Sequence, residues 1–555
     1  MDKLKTIRVA GSTAPIAPTA PPAPADSPAS MHLATLTDSD IPADSPASIH
    51  AATPTSATSP TDSFSVQHPE FERVGHYLAD HARFLADLPG YESPHLRALR
   101  REGIARFNEL GFPTPRQEAW RHTNVAPIAA TAFRRARPAM DEAAVADAVA
   151  RYAIDGTYRL VFVNGRFAEK FSQHQTSSDG VYIGSLATAL ADPSVRTVAE
   201  AHLGRYARFD EHPFVALNTA FIADGAFVHV PRGTVVDRPI HLLFLAMADE
   251  GVPTVHYPRN LIVIGEAGHA TIVETYAGNT GNTGNTGGTG GTGGMGNTGG
   301  TGGTGTGVAG KEIGLGDGLV DSATLCCAVT ELVAGPGSVV DHYKVQDERT
   351  TAFHMATLQV YQDRASSVSS HSVSTGGRLV RHDVNAILDG EGADCILNGL
   401  YLVTGEQHVG NYMRVEHVKP HCTSHELYKG ILDGRSRAVF SGLIYVHPGA
   451  QKTDAKQSNR NLLLSKEALV NSNPQLEIFA NDVKCTHGST VGQLDEDAVY
   501  YLRSRGIGVE AAKSLLIYAF ASDIVERIKV EAVRRDLEEF LFGRLPMGDV
   551  VRQAV

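Results

Sequence analysis

The sequence predicts a mainly-β protein whose strand-rich centre is flanked by helical segments at both ends. Three observations carry this reading. Apolar residues recur at helical spacing between Phe71 and Leu110. From about Tyr158 onward, short runs of β-branched and aromatic residues follow one another, each broken by glycine. After Gly492 the helical pattern returns, in "EDAVYYLRSRG" and "VEAAKSLLIYAFASDIVERIKV". Period 3.6 at the ends and short strand-like runs between them give the order helix, strand, helix.

Taken in order, residues 1–66 are rich in Ala, Pro, Ser and Thr, and "ADSPASMHLAT" from Ala25 is echoed by "ADSPASIHAAT" from Ala43. Such a composition cannot bury a core, so a disordered, duplicated tail is expected. No apolar run follows Lys3, Lys5 and Arg8, and Asp26, Asp38, Asp40 and Asp44 argue against a transit peptide. A helical domain is expected over 67–155. Its first helix carries Phe71, Val74, Leu78, Leu85 and Leu88, and its second begins at Ser93 as N-cap with Pro94 in the first turn and stops at Gly111. The loop "FPTPRQEAWRHTN" that follows holds the sole tryptophan, Trp120, read as a packing anchor.

The strand core is expected over 156–492. It opens with "YRLVFVNGRFAEKF", where Asn164-Gly165 marks a hairpin turn. The absence of long helices between the runs disfavours a doubly wound α/β sheet and leaves a sandwich, a barrel or a solenoid. No strict repeat is visible, so periodicity alone does not select among them. A Gly/Thr-rich stretch over 278–307 reads as a flexible insertion. Its end, "GTGVAGKE", imitates a phosphate-binding loop, but Glu312 stands where Ser or Thr would hold magnesium, so no bound nucleotide is expected. Residues 493–555 are expected to form a C-terminal helical domain with Asp495 as an N-cap. Its most apolar helix needs a partner surface, either this chain's own β core or another subunit.

Composition narrows the function. A net charge of -12 without clustered Lys and Arg excludes a phosphate-neutralising nucleic-acid surface and disfavours an anionic membrane. No apolar run approaches the roughly 20 residues that span a bilayer. The five cysteines, Cys326, Cys327, Cys395, Cys422 and Cys485, are too few for a disulfide framework, so free thiols and a cytoplasmic location are expected.

The chemistry candidates are sparse. In "NDVKCTHGSTVG", Cys485 and His487 share one face of an extended strand, with Thr486 on the other. A thiol beside an imidazole suits nucleophilic chemistry or a soft metal. The first needs an orienting group, for which Asp482 is near in sequence; the second needs more than two ligands. A buried thiol beside a hydrogen-bonded histidine is the plain alternative. A second dense group, His408, His417, His421, Cys422 and His425, fits no standard zinc spacing and would scatter over both faces of its strands. Cys326 and Cys327, adjacent on a strand, point oppositely, and Cys395 reads as a small buried hydrophobe.

The stretch "FSGLIYVHPGAQKTDAKQSNRNLLLSKEALVNSNPQLEIFANDVKCTHGSTVGQLDEDAVYYLRSRGI", with "HCTSHELYKGILDGRSRAVF" before it and "PTPRQEAWRHTN" near the N-terminus, resembles the SufB/SufD family of iron-sulfur cluster assembly proteins, on its SufD side. The resemblance implies a right-handed parallel β-helix core flanked by N-terminal and C-terminal α-helical domains. It implies a heterodimer with SufB through that core, a SufC ATPase bound by the C-terminal helical domain, and a non-catalytic role. Cys485 and His487 fall on the family's Cys-x-His, which implies a transient iron-sulfur cluster or iron handled at the interface with SufB. A homodimer of the isolated chain is also allowed. The SufB-type scaffold is the rival within the family. It carries a cysteine in the stretch corresponding to "QSNRNLLL", where Arg460 and its neighbours offer no thiol. Outside the family, a stand-alone thiol or metal enzyme using Cys485 and His487 and a passive docking platform remain.

Overall fold

The computed structural model describes residues 69–88, 93–138, 141–174, 180–247, 251–278 and 323–554. The expected tail, almost all of the Gly/Thr-rich insertion and the phosphate-loop imitation lie outside the described residues.

Helix α1, Pro69–Ala86, precedes α2, Pro94–Leu110. Ser93 accepts a hydrogen bond from the Leu96 N–H at 3.1 Å, and Gly111, at φ 62°, donates to Phe107 O, so both predicted ends of α2 are built as read. The buried stripe of α1 is Val74, Tyr77, His81 and Phe84, whereas Leu85 is exposed and Leu88 falls beyond the helix. Two aromatic residues one heptad apart outweigh the leucines in choosing the face. After α3, Ala126–Ala130, the strand β1, Arg134–Arg135, and α4, Glu142–Tyr152, the chain enters its sheets.

The hairpin of β2, Tyr158–Val163, and β3, Arg166–Phe167, turns on Asn164 and Gly165, both at positive φ. Strand β4, Tyr182–Ser185, is followed by α5, Leu186–Ala191, α6, Pro193–His202, and α7, Pro213–Ala220. These three helices lie in a stretch read as strand. All are short, and α7 is buried on every side, so it shows no amphipathic period. Gly103 lets α2 cross α7 closely, since a Cβ there would sit 2.7 Å from Ala220 N.

From β5, Ala226–Val230, onward every strand pairing is parallel except that of β5 with β4. The strands β6, Ile240–Ala246, β7, Thr254–His256, β8, Arg259–Ile264, and β9, His269–Gly278, lead into β10, Thr324–Ala334. Then come β11, Val339–Asp347, β12, Phe353–Gln362, β13, Ser367–Ser374, β14, Leu379–Leu388, and β15, Asp394–Val403. The series closes with β16, His408–His417, β17, Thr423–Leu432, β18, Arg437–Val446, β19, Asp454–Leu463, β20, Leu469–Ile478, and β21, Lys484–Gly492. Even-numbered strands from β8 to β20 stack in one sheet; the other runs β6, β9, β11 and by odd numbers to β21. The chain therefore coils through two facing sheets as a parallel β-solenoid of about seven turns. Register partners step by 26 residues from Phe353 to Leu379, by 29 from Leu379 to His408 and by 32 from Arg437 to Leu469. This uneven step is why no strict repeat shows in the sequence.

The space between the sheets is filled by interlocked sizes. Gly399 on β15 lies level with Tyr428 on β17, and Gly430 on β17 lies level with Tyr401 on β15. A methyl group on either glycine would overlap the tyrosine ring beside it. On the outer face, Arg381 is clamped between the rings of Trp120 and Tyr412, at 3.7 and 3.5 Å from their centroids, while it holds Asp383 and donates to Ala119 O. Trp120 thus anchors its loop to the solenoid. Glu331, fully buried, holds Arg259 at 2.8 Å and accepts from the N–H groups of Gly204, Tyr206 and Ala207, fixing the segment between α6 and α7.

Helix α8, Glu496–Ser504, is capped by Asp495, and α9, Val509–Val525, α10, Glu531–Arg544, and α11, Gly548–Ala554, complete the chain. The apolar α9 finds its partner surface at home. Ile517, Ala521, Ile524 and Val525 share a core with Tyr343, Val373, Leu400 and Ile431 on the outer face of the odd-numbered sheet. Lys429 secures it, donating to Phe520 O at 2.9 Å and pairing with Asp523 at 2.8 Å. We predict that Gly430→Ala lowers unfolding free energy by about 1–3 kcal/mol, as overpacking does, and that Gly430→Ala with Tyr401→Phe does not relieve it, because the ring remains. Denaturant unfolding of the full chain measures both.

Candidate functional site

The site is made by the last turn of the solenoid. Strand β21 is hydrogen-bonded to β19 alone, and β20 to β18 alone, so each leaves one edge of N–H and C=O groups without a strand partner. Pro474 sits in the middle of β20, a position tolerated only because the strand is an edge. Along β21 the inner-facing column continues the interior: Cys485 is level with the buried Ala455, and His487 with the buried Gln457. The two candidate side chains do share one face, as alternation required.

Their environments differ. Cys485 is half-buried against Ile444, Val446, Ala450 and Ala480, and this burial pushes its thiol above the ordinary range. The Ala455 N–H opposes the shift, and Asp454 adds to it. His487 is exposed. Neither belongs to a group of three or more His, Cys, Asp or Glu ligand atoms among the described residues. Asp482, the carboxylate nearest in sequence, is engaged elsewhere: it pairs with Lys452, and its N–H donates to Gln451 Oε1 at 2.9 Å. The nucleophile reading thus lacks the orienting group it would require. The metal reading has two donors and a rim open to a second molecule.

Behind β21 lies a polar interior that sequence reading missed. Glu426 on β17 is buried and accepts from Gln457 Nε2 at 2.6 Å, directly inward of the His487 column. Burial raises its carboxyl to about 7, with the Gln457 hydrogen bond opposing. A second line runs outward from Tyr401 through Asn459 to Ser472 and on to Ser489 of β21, with Ser489 Oγ donating to Ser472 Oγ at 2.8 Å. The alternation of "TSHELYKG" and "DAKQSNRN" could have placed these groups inside, but only knowledge of the register brings them to one end of the solenoid.

The other candidates disperse. His417 bonds Ser424 Oγ in the interior, Cys422 donates to Gly390 O, His408 meets Thr123, and His421 is exposed in a turn at φ 61°. With His425 on the opposite face from Ser424, they form no common site. Cys326 faces the interior and Cys327 the outer helical layer, and Cys395 is buried. Arg460 is exposed on the outer face of β19.

Two family models match the chain: the SufBD core domain of the SUF system for FeS cluster assembly over residues 312–520, and the SufBD protein N-terminal region over residues 76–242. The chain is 30% identical over 442 residues to an iron-sulfur cluster assembly SufBD family protein of Synechocystis, covering 79% of this chain and 89% of that one. It is 28% identical over 456 residues to the iron-sulfur cluster assembly protein SufD of Escherichia coli, with 82% and 92% covered, and 25% identical over 330 residues to that of Bacillus subtilis, with 60% and 66% covered.

Two outcomes follow from the geometry. Alkylation of the native chain should consume one thiol fast, lost in Cys485→Ser, with its rate still rising above the pH at which a free cysteine levels off. Glu426 carries its proton in the folded state up to about pH 7 but loses it near pH 4 when unfolded. The folded chain therefore binds the extra proton between these values, and its contribution to stability falls as pH rises through that window, by on the order of 1 kcal/mol per pH unit. Glu426→Gln should flatten this slope in denaturant titrations between pH 5 and pH 7.

Proposed function

Because the chain belongs to the SufBD family of SUF-system iron-sulfur cluster assembly proteins, as a SufD-type member, we propose that it works as the SufD-like subunit of a SufB, SufC and SufD complex, in the cytoplasm. Its last turn joins SufB, and its C-terminal helical domain, 493–555, docks the SufC ATPase, which supplies the ATP hydrolysis. The chain itself turns over no substrate. No helix among the described residues is long and apolar enough to cross a membrane.

The observation that carries this reading is the incomplete donor pair on an edge strand. Cys485 and His487 sit at the end of the solenoid where two full-length strands leave their backbone edges free, beside exposed Ile478, Phe479 and Val491. A partner strand laid there would satisfy the edge and cover the apolar groups. It would also bring its own donors to the same rim. The iron-sulfur cluster is cargo in this scheme, held transiently between the chains. His487 offers an exposed imidazole at the rim. Cys485, whose thiol is pushed up by burial, is poised to ionise only when a cation arrives. The proposal therefore gives His487 the capture of iron or nascent cluster and Cys485 a conditional share in holding it.

The test is co-purification with SufB and SufC followed by anaerobic reconstitution. We expect His487→Ala to leave the complex assembled while lowering cluster yield by at least about tenfold, the order of effect of a lost metal contact. Unchanged yield in that variant would overturn the assignment. Turnover by the isolated chain that disappears in Cys485→Ser would favour a stand-alone thiol enzyme instead.

A further inference from the structure

The solenoid interior holds a second set of donor atoms, many turns away from β21. His256, Cys326 and Glu348 each offer one ligand-type atom, these atoms lie within 4.8 Å of one another, and all three residues are buried. Among the described residues no other group of three His, Cys, Asp or Glu meets that condition. The register explains the convergence. Cys326 on β10 is level with His256 on β7 and with His354 on β12. Neighbouring strands lie about 4.8 Å apart, so His256 and Cys326, inward and side by side in one row, bring their tips within reach of a single ion. Glu348 enters from the turn after β11, steadied by Gln346 Nε2 at 3.0 Å.

An independent observation points into the same space. His354 is fully buried, yet neither of its ring nitrogens makes an aligned hydrogen bond. Its Nδ1 stands 2.8 Å from Glu348 Oε2 without the direction a hydrogen bond needs. Buried imidazoles ordinarily have a partner. Lys344, the buried cation of this region, has its Nζ 3.2 Å from His382 Nδ1 and 4.8 Å from the Tyr276 ring centroid.

We propose that His256, Cys326 and Glu348 form a buried three-ligand site for one divalent transition-metal ion of the Zn2+ or Fe2+ type, with His354 at its border beside Glu348. An imidazole, a thiolate and a carboxylate are a donor set of intermediate softness that fills three positions of a tetrahedral ion, and the ring of His354 borders the fourth. Cys326 releases its proton on binding, and the two anionic ligands then neutralise the ion within the apolar surroundings. Because the ligands are enclosed, the ion enters as the chain folds and leaves slowly. This goes beyond the role assigned to Cys485 and His487 and does not depend on it.

The test uses the full chain produced in cobalt-supplemented medium, dialysed against EDTA, and examined by metal analysis and absorption spectroscopy. We expect one cobalt per chain with a thiolate-to-cobalt charge-transfer band. Both persist in Cys327→Ser and in the Cys485→Ser, His487→Ala double variant. Retained cobalt falls at least about tenfold in Cys326→Ser and in Glu348→Gln, whose near-identical shape preserves the fold if Cys326→Ser does not. Parallel production in zinc or iron medium identifies the preferred ion. A native chain that retains no ion, or a band lost in the double variant and kept in Cys326→Ser, overturns the proposal.

Discussion

Every feature of this chain depends on the parallel backbone ladder between successive turns. In a solenoid each strand satisfies its N–H and C=O groups only through the strands one turn before and one turn after it. The ladder fixes which side chains lie level with one another, and so it decides the interior row by row. Gly399 can face Tyr428, and Gly430 Tyr401, only at one register; a slip of one residue in β17 would turn Tyr428 outward and part Gly430 from Tyr401. Hydrophobic burial drives the collapse, but the ladder determines the places where it occurs.

The same constraint places the chemistry. Columns of level residues carry polar groups through an interior that would otherwise be apolar, as Glu426, Gln457 and His487 show on three consecutive odd-numbered strands. Rows across the even-numbered sheet do likewise, as with His256, Cys326 and His354. In both cases residues far apart in the chain become neighbours with the spacing of one strand. The flanking helices protect this arrangement from outside. The N-terminal loop clamps Arg381 with Trp120, and α9 covers the outer face of the odd-numbered sheet with Ile517, Ile524 and Val525.

Local signals in the sequence were legible where local physics decides. Ser93, Gly111, Asn164-Gly165 and Asp495 each mark an end or a turn, and each does so in the structure. The shared face of Cys485 and His487 followed from alternation alone. What could not be read was anything that depends on how turns are stacked. The steps of 26 to 32 residues hide the solenoid from a search for strict repeats. Resemblance supplied the β-helix where periodicity could not. Cys326 looked inert because its level neighbours lie 70 residues before it and 28 after it, at His256 and His354. Helix α7 escaped notice because a helix buried on all sides has no polar face to give it a period.

The two ends of the solenoid are unlike. The first turns are closed off by the two-residue strand β3 and the antiparallel β4, both too short or wrongly directed to template another parallel turn. The last turn ends in two full-length strands, each with a free edge. The molecule therefore behaves as a chain stopper in the sense of polymer chemistry, with a functionality of one. Joining two such ends uses up the full-length free edges among the described residues and leaves only the short β3 and the antiparallel β4 outermost, so association through them favours a pair over a growing fibre.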